Sequence, residues 1–201
     1  MASMLDQLMG SLQSSGGIGE MSRSLGLNES DVSHVVSGAL PALMSGLARN
    51  SASSDGAGSL LAALDRDHDG SILDDIAGFL GNSGNATAGT GILRHTFGER
   101  QPRVEGALAN STGVDSGSVS RILAMAAPLV MAYLARQKRE QNLDAAGLGN
   151  LLGREQRVAQ ERSPQAVSLL NQLLDADGDG SIMDEVGEMG SNLLGSLFKN
   201  A

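Results

Sequence analysis

Two acidic runs carry the clearest chemistry in this sequence. Asp65-x-Asp67-x-Asp69-Gly70-Ser71-Ile72 recurs as Asp175-x-Asp177-x-Asp179-Gly180-Ser181-Ile182. Alternate carboxylates in a tightly curled loop converge on one cation, a glycine at the sixth position permits the sharp turn, and the seventh residue supplies its backbone carbonyl. Oxygen donors alone suit a hard dication, so two calcium (Ca2+) sites are expected, over residues 65–76 and 175–186. The twelfth position, where a bidentate glutamate usually closes such a shell, holds Ile76 or Val186. Acidic residues stand one and two places earlier, and one of Asp74 and Asp75, or of Asp184 and Glu185, is expected to take that role. Close carboxylates repel one another without a cation, so binding should order each loop. The plainer reading is a pair of aspartate-rich turns that cap helices. The recurrence of the whole pattern, isoleucine included, weighs toward the ion.

Other chemistry is poorly supplied. The chain has no cysteine, which removes thiolate metal sites, thiol catalysis and disulfides. His34, His68 and His95 are far apart and form no metal-ligand spacing, and His68 at the fourth loop position is expected to point into solvent. No nucleophile elbow or phosphate loop occurs, and Gly147-x-Gly149 with Gly153 has the wrong spacing for a dinucleotide turn. No enzyme is nominated. A formal charge of −9 disfavours a surface that tracks nucleic-acid phosphates.

The elements that must position the acidic runs read as helices. Val32, Val35, Val36, Ala39, Leu40, Leu43 and Leu47 recur at intervals of three and four. Val32, Ser33, Ala39, Pro41, Met44, Leu47, Ala48 and Arg49 return, in the same register, as Val119, Ser120, Ala126, Pro128, Met131, Leu134, Ala135 and Arg136. With the two acidic runs following in the same order, the chain reads as a duplicated unit. Asn28 and Asp115 stand at N-cap positions. Pro41 and Pro128 lie inside their helices, where each frees the carbonyl four residues earlier, on Ser37 and Ala124, and should kink the helix. Met44, Met125, Met131, Met183 and Met189 are expected to fill cores.

The divisions expected are a first helical repeat over 1–80, a Gly/Ser/Asn linker without regular structure over 81–91, and a second repeat over 92–201. Residues 51–59 read as a loop and 137–164 as a solvated charged face or loop, after which Ser163-Pro164 opens a helix through Val167, Leu170 and Leu174. The longest apolar run, Ile122 to Ala135, suits a buried helix better than a membrane span. No leader sequence is read at the start, and a cytoplasmic location is expected. The fold class is all-α.

From Leu25-Gly26-Leu27-Asn28-x-Ser30 to Leu40-Pro41, and from Gly113-Val114-Asp115 to Pro128, the chain resembles the bacterial YidB-like family of unknown function. Ile92 to Glu105 looks like that family's opening segment, and Ser181-Ile182-Met183-Asp184-Glu185 like its ending. The resemblance covers most of 92–201, with a shorter version over 21–80. It implies two compact, homeodomain-like helical repeats, each ending in a helix-loop-helix, and no established activity. The function expected is non-enzymatic calcium binding that orders these helix pairs. The rival is metal-independent: a scaffold that binds a protein partner or a second copy of itself, with no nucleic acid and no membrane span.

Overall fold

The computed structural model describes residues 3–67, 70–82 and 86–162. Among them all regular structure is helical: α1 (Met4–Ser14), α2 (Gly17–Leu25), α3 (Glu29–Asn50), α4 (Ser54–Asp67), α5 (Ile76–Gly81), α6 (Ala86–Phe97), α7 (Gln101–Thr112), α8 (Ser116–Gln141) and α9 (Ala145–Arg162), with 3-10 turns at Ser71–Asp74 and Gly98–Arg100. The all-α expectation holds.

One helix organises the rest. Every residue of α8 from Ile122 to Ala135 is buried, so this segment is apolar on all sides and has protein on all sides. By length and composition it could cross a membrane, yet its most apolar window is 89% buried inside the fold, as a core helix requires. Helices α3, α4, α6 and α7 pack around it, and α9 lies against α3 and α4. Leu40, Leu43, Leu123, Leu129 and Leu148 all belong to a single continuous apolar core. Met44, Met125 and Met131 are buried there as expected, while Met183 and Met189 lie outside the described residues.

The two long helices begin alike. Helix α2 closes on left-handed Gly26 before α3, and α7 closes on left-handed Gly113 before α8. Asn28 and Asp115 then occupy the N-cap positions in extended conformation. Only Asp115 caps with its side chain, its Oδ1 accepting from the Ser118 N–H at 2.9 Å. Asn28 departs from expectation: its Nδ2 donates to Asp31 Oδ2 at 3.3 Å, and its side chain accepts from no backbone N–H. Helical structure runs through both Pro41 and Pro128.

Three segments depart from the sequence reading. The 81–91 stretch is not without regular structure, because α5 reaches Gly81 and α6 begins at Ala86. Its glycines are packing devices: Gly89 is buried against the backbone of α8, and a β-carbon there would overlap the Ala124 carbonyl oxygen. The 51–59 loop is shorter than expected, since α4 starts at Ser54. The charged 137–164 region is mostly helix, the last turns of α8 and all of α9, with Leu148, Leu151 and Leu152 buried beneath its polar face. Tertiary burial outweighs the low helix propensity of glycine and serine in these places.

Candidate functional site

The first acidic run begins as helix. Asp65 and Asp67 are still within α4, so the curl is shorter than the twelve residues expected. It turns at Gly70, whose φ of 78° and ψ of −1° fall in the left-handed region that a side chain disfavours. Gly70 is buried on α8: an added β-carbon would stand 2.9 Å from Arg139 Nη2 and 3.3 Å from the Ala132 carbonyl oxygen. The 3-10 turn follows, with Leu73 N–H donating to the Gly70 carbonyl at 3.1 Å, and Ile72 and Leu73 packing partly buried against the core.

The carboxylates then go to separate partners. Asp65 Oδ1 is in contact with Lys138 Nζ, from the penultimate stretch of α8. Asp74 Oδ1 lies 3.4 Å from Arg136 Nη2, which is itself paired through Nε with Glu140 at 3.6 Å. Asp75 is the N-cap of α5, its Oδ1 accepting from the Gly78 N–H at 2.9 Å. Ser71 is exposed at the start of the turn. Ile76 is 3% exposed, which explains the missing carboxylate at the twelfth position: that side chain belongs to the core. Among the described residues, no three acidic, histidine or cysteine side chains come together as a metal-binding group. The side chain of Asp67, Asp69, His68 and the whole second run, Asp175, Asp177, Asp179, Ser181, Asp184 and Glu185, lie outside the described residues. His34 and His95 are exposed and distant from the acidic turn in sequence, on α3 and α6.

The fit to a hard dication is therefore divided. The left-handed Gly70 and the all-oxygen donor chemistry match such a site. The described carboxylates do not converge, because lysine, arginine and a helix N-terminus each hold one. Sequence reading missed Lys138 and Arg136 as partners, since they stand in a charged stretch whose acidic neighbours suggest a solvated face. The available signal was their place in the last turns of a long buried helix, where cations also complement the helix dipole.

A model of a bacterial protein family matches residues 6–137, more than half of the chain. The chain belongs to that family, described as Bacterial protein of unknown function (DUF937). The DUF937 match starts in α1, runs unbroken across residues 81–91 and ends in the last turns of α8, one residue before Lys138. It thus takes in only residues 92–137 of the 92–201 stretch on which the sequence resemblance centres. No curated protein and no solved structure matches the chain.

Proposed function

We propose that this DUF937 chain is a non-enzymatic, calcium-binding helical protein whose acidic turns respond to a hard dication. The observation that supports it best is the left-handed turn at Gly70, set directly after the alternating aspartates, where a calcium loop needs its sharp bend. Asp65, Asp67 and Asp69 would bind through carboxylates, Ser71 through its carbonyl, and Asp74 would close the shell more readily than Asp75, which is committed to capping α5. Asp175, Asp177, Asp179, Ser181 and either Asp184 or Glu185 would form the second site. Lys138 and Arg136 supply counter-charge to Asp65 and Asp74. A dication at the first site would displace Lys138 from Asp65, which argues for an affinity in the sensor or extracellular range, on the order of 10⁻⁷ to 10⁻³ M. The matched starts of α3 and α8, with their shared residues, support descent from a duplicated, YidB-like unit.

The same contacts favour a second reading. Asp65, Asp74 and Asp75 each have an internal partner, which would let the turn fold without an ion and the protein serve as a metal-independent scaffold. Calcium titration into chelator-treated protein, followed by calorimetry and thermal melting, separates the two. Saturable heat with a raised melting temperature is the expected result. Silence up to millimolar calcium overturns ion binding and leaves the scaffold.

A further inference from the structure

Helices α4 and α6 flank a cleft of about 710 Å³ laid over α3 and α8. Leu47, Leu60, Ile92 and Met131 give it an apolar surface from each of those four helices. Its size falls within the range of small-molecule sites, roughly 300–1,000 Å³. Thr96 sets the chemistry of this cleft, which it lines from α6 while only 6% exposed. Its methyl is turned to α3: a β-carbon added at Gly46 would stand 2.6 Å from Thr96 Cγ2. The hydroxyl is then the part of the side chain left to face the cleft. Near the ends of other helices, Thr112 Oγ1 donates to the Leu108 carbonyl at 2.7 Å and Ser51 Oγ to the Leu47 carbonyl at 2.8 Å. Among the described residues the Thr96 hydroxyl makes no such bond. Asn50 Nδ2 donates to the backbone carbonyls of His95 and Thr96, at 2.7 and 3.2 Å, and so pins that end of α6 to α3. A buried hydroxyl without a partner destabilises a fold, and a ligand oxygen in the cleft would supply one.

We infer that the cleft binds a neutral, mainly aliphatic molecule with one polar oxygen, a fatty alcohol or a compound of like chemistry. Its chain lies between α4 and α6, and its oxygen meets the Thr96 hydroxyl. Neutrality follows from the lining. Among the described residues there, no carboxylate is present to meet a cation, and Arg66, exposed at the edge, already has an interaction of its own. A charged ligand would be buried without a counter-ion, which costs far more than burying a neutral oxygen that finds a hydrogen bond. The inference does not depend on ion binding and is tested in chelator.

The full-length protein is titrated with the neutral fluorophore phenylnaphthylamine, which is then displaced with decanol. One saturable site emptied by decanol is expected; no saturable uptake overturns the inference. Thr96→Val keeps the methyl against Gly46 and removes the hydroxyl. It should weaken decanol by about three- to tenfold while the melting temperature of the ligand-free protein stays unchanged or rises. Undiminished decanol affinity overturns the inference. So does a lowered melting temperature, which would give the hydroxyl a structural partner instead. Ala88→Trp places a large ring at an exposed position on the α6 side of the cleft. It should abolish fluorophore uptake with helical circular dichroism retained. Uptake at the parent's level would assign the fluorophore to another surface and overturn the site.

Discussion

Gly89 sits directly over the carbonyl oxygen of Ala124, leaving no room for a β-carbon. Ala124 is four residues before Pro128, so its carbonyl is the one that the proline leaves without a helical N–H partner. Helix α6 therefore reaches α8 at the carbonyl that lacks the Pro128 N–H, and a glycine Cα can approach it closely. Proline in one helix and glycine in another form a single packing device.

The first prediction tests that device. Gly89→Ala should destabilise the protein by about 1–3 kcal/mol in urea unfolding, because backbone must move to admit the methyl group. Gly106→Ala, in the interior of α7 with open space around it, should stabilise by about 0.5–1 kcal/mol through helix propensity alone. Equal effects at the two positions would show that close approach at Gly89 is unimportant.

Lys138 is predicted to compete with calcium. Lys138→Gln removes the cation in contact with Asp65, so calorimetry should show calcium affinity at one site raised several-fold and a larger calcium-induced rise in melting temperature. Arg154→Gln, exposed on α9, should leave affinity unchanged. If Lys138→Gln binds calcium no tighter than the parent, the lysine is not a competitor.

Asp115 sets an acid-side prediction. Hydrogen bonds from the Ser118 side chain and then its backbone N–H hold the Asp115 carboxyl below its ordinary value, and these outweigh the opposing desolvation. A depressed carboxylate stabilises the fold above its unfolded pKa and loses that contribution as pH falls through the folded pKa. Asp115→Ala should therefore lower the melting temperature at neutral pH, with the gap from the parent closing as pH drops below the usual carboxylate range. A gap that is constant with pH would assign the effect to something other than the charged cap.

Tyr133 sets an alkaline one. Its hydroxyl donates to Gln7 Oε1 at 2.6 Å, and burial, followed by the nearby Glu155 and Glu140 charges, raises its pKa above 10.0. A raised pKa contributes stability that is intact below the unfolded value and lost as pH climbs through the folded one. As the only tyrosine in a chain without tryptophan, its phenolate absorbance reports this site alone. The folded protein should ionise at higher pH than the same chain in urea, and Tyr133→Phe should abolish the signal and cost about 1 kcal/mol at neutral pH. Coincident titrations in folded and unfolded protein would contradict the burial argument.

Much of this fold is legible in residue spacing, because helical periodicity in α3 and the apolar run of α8 report burial directly. The helix starts at Asn28 and Asp115 are legible for the same local reason, although only Asp115 uses its side chain as a cap. What spacing could not reveal depends on distant neighbours. The glycines of α6 read as a linker until Ala124 is brought against Gly89. The aspartates at 65 and 74 read as a converging set until Lys138 and Arg136 arrive from the far end of another helix. Ile76 marks the boundary between the two cases: its departure from the loop pattern is visible in sequence, while its reason, a place in the core, is visible only in three dimensions.

Helix α8 runs as an enclosed shaft through the core and then emerges, carrying Arg136, Lys138 and Arg139 on its last turns. That end continues a rod seated among α3, α4, α6 and α7. The acidic turn is thus held by the same helix that fills the middle of the core.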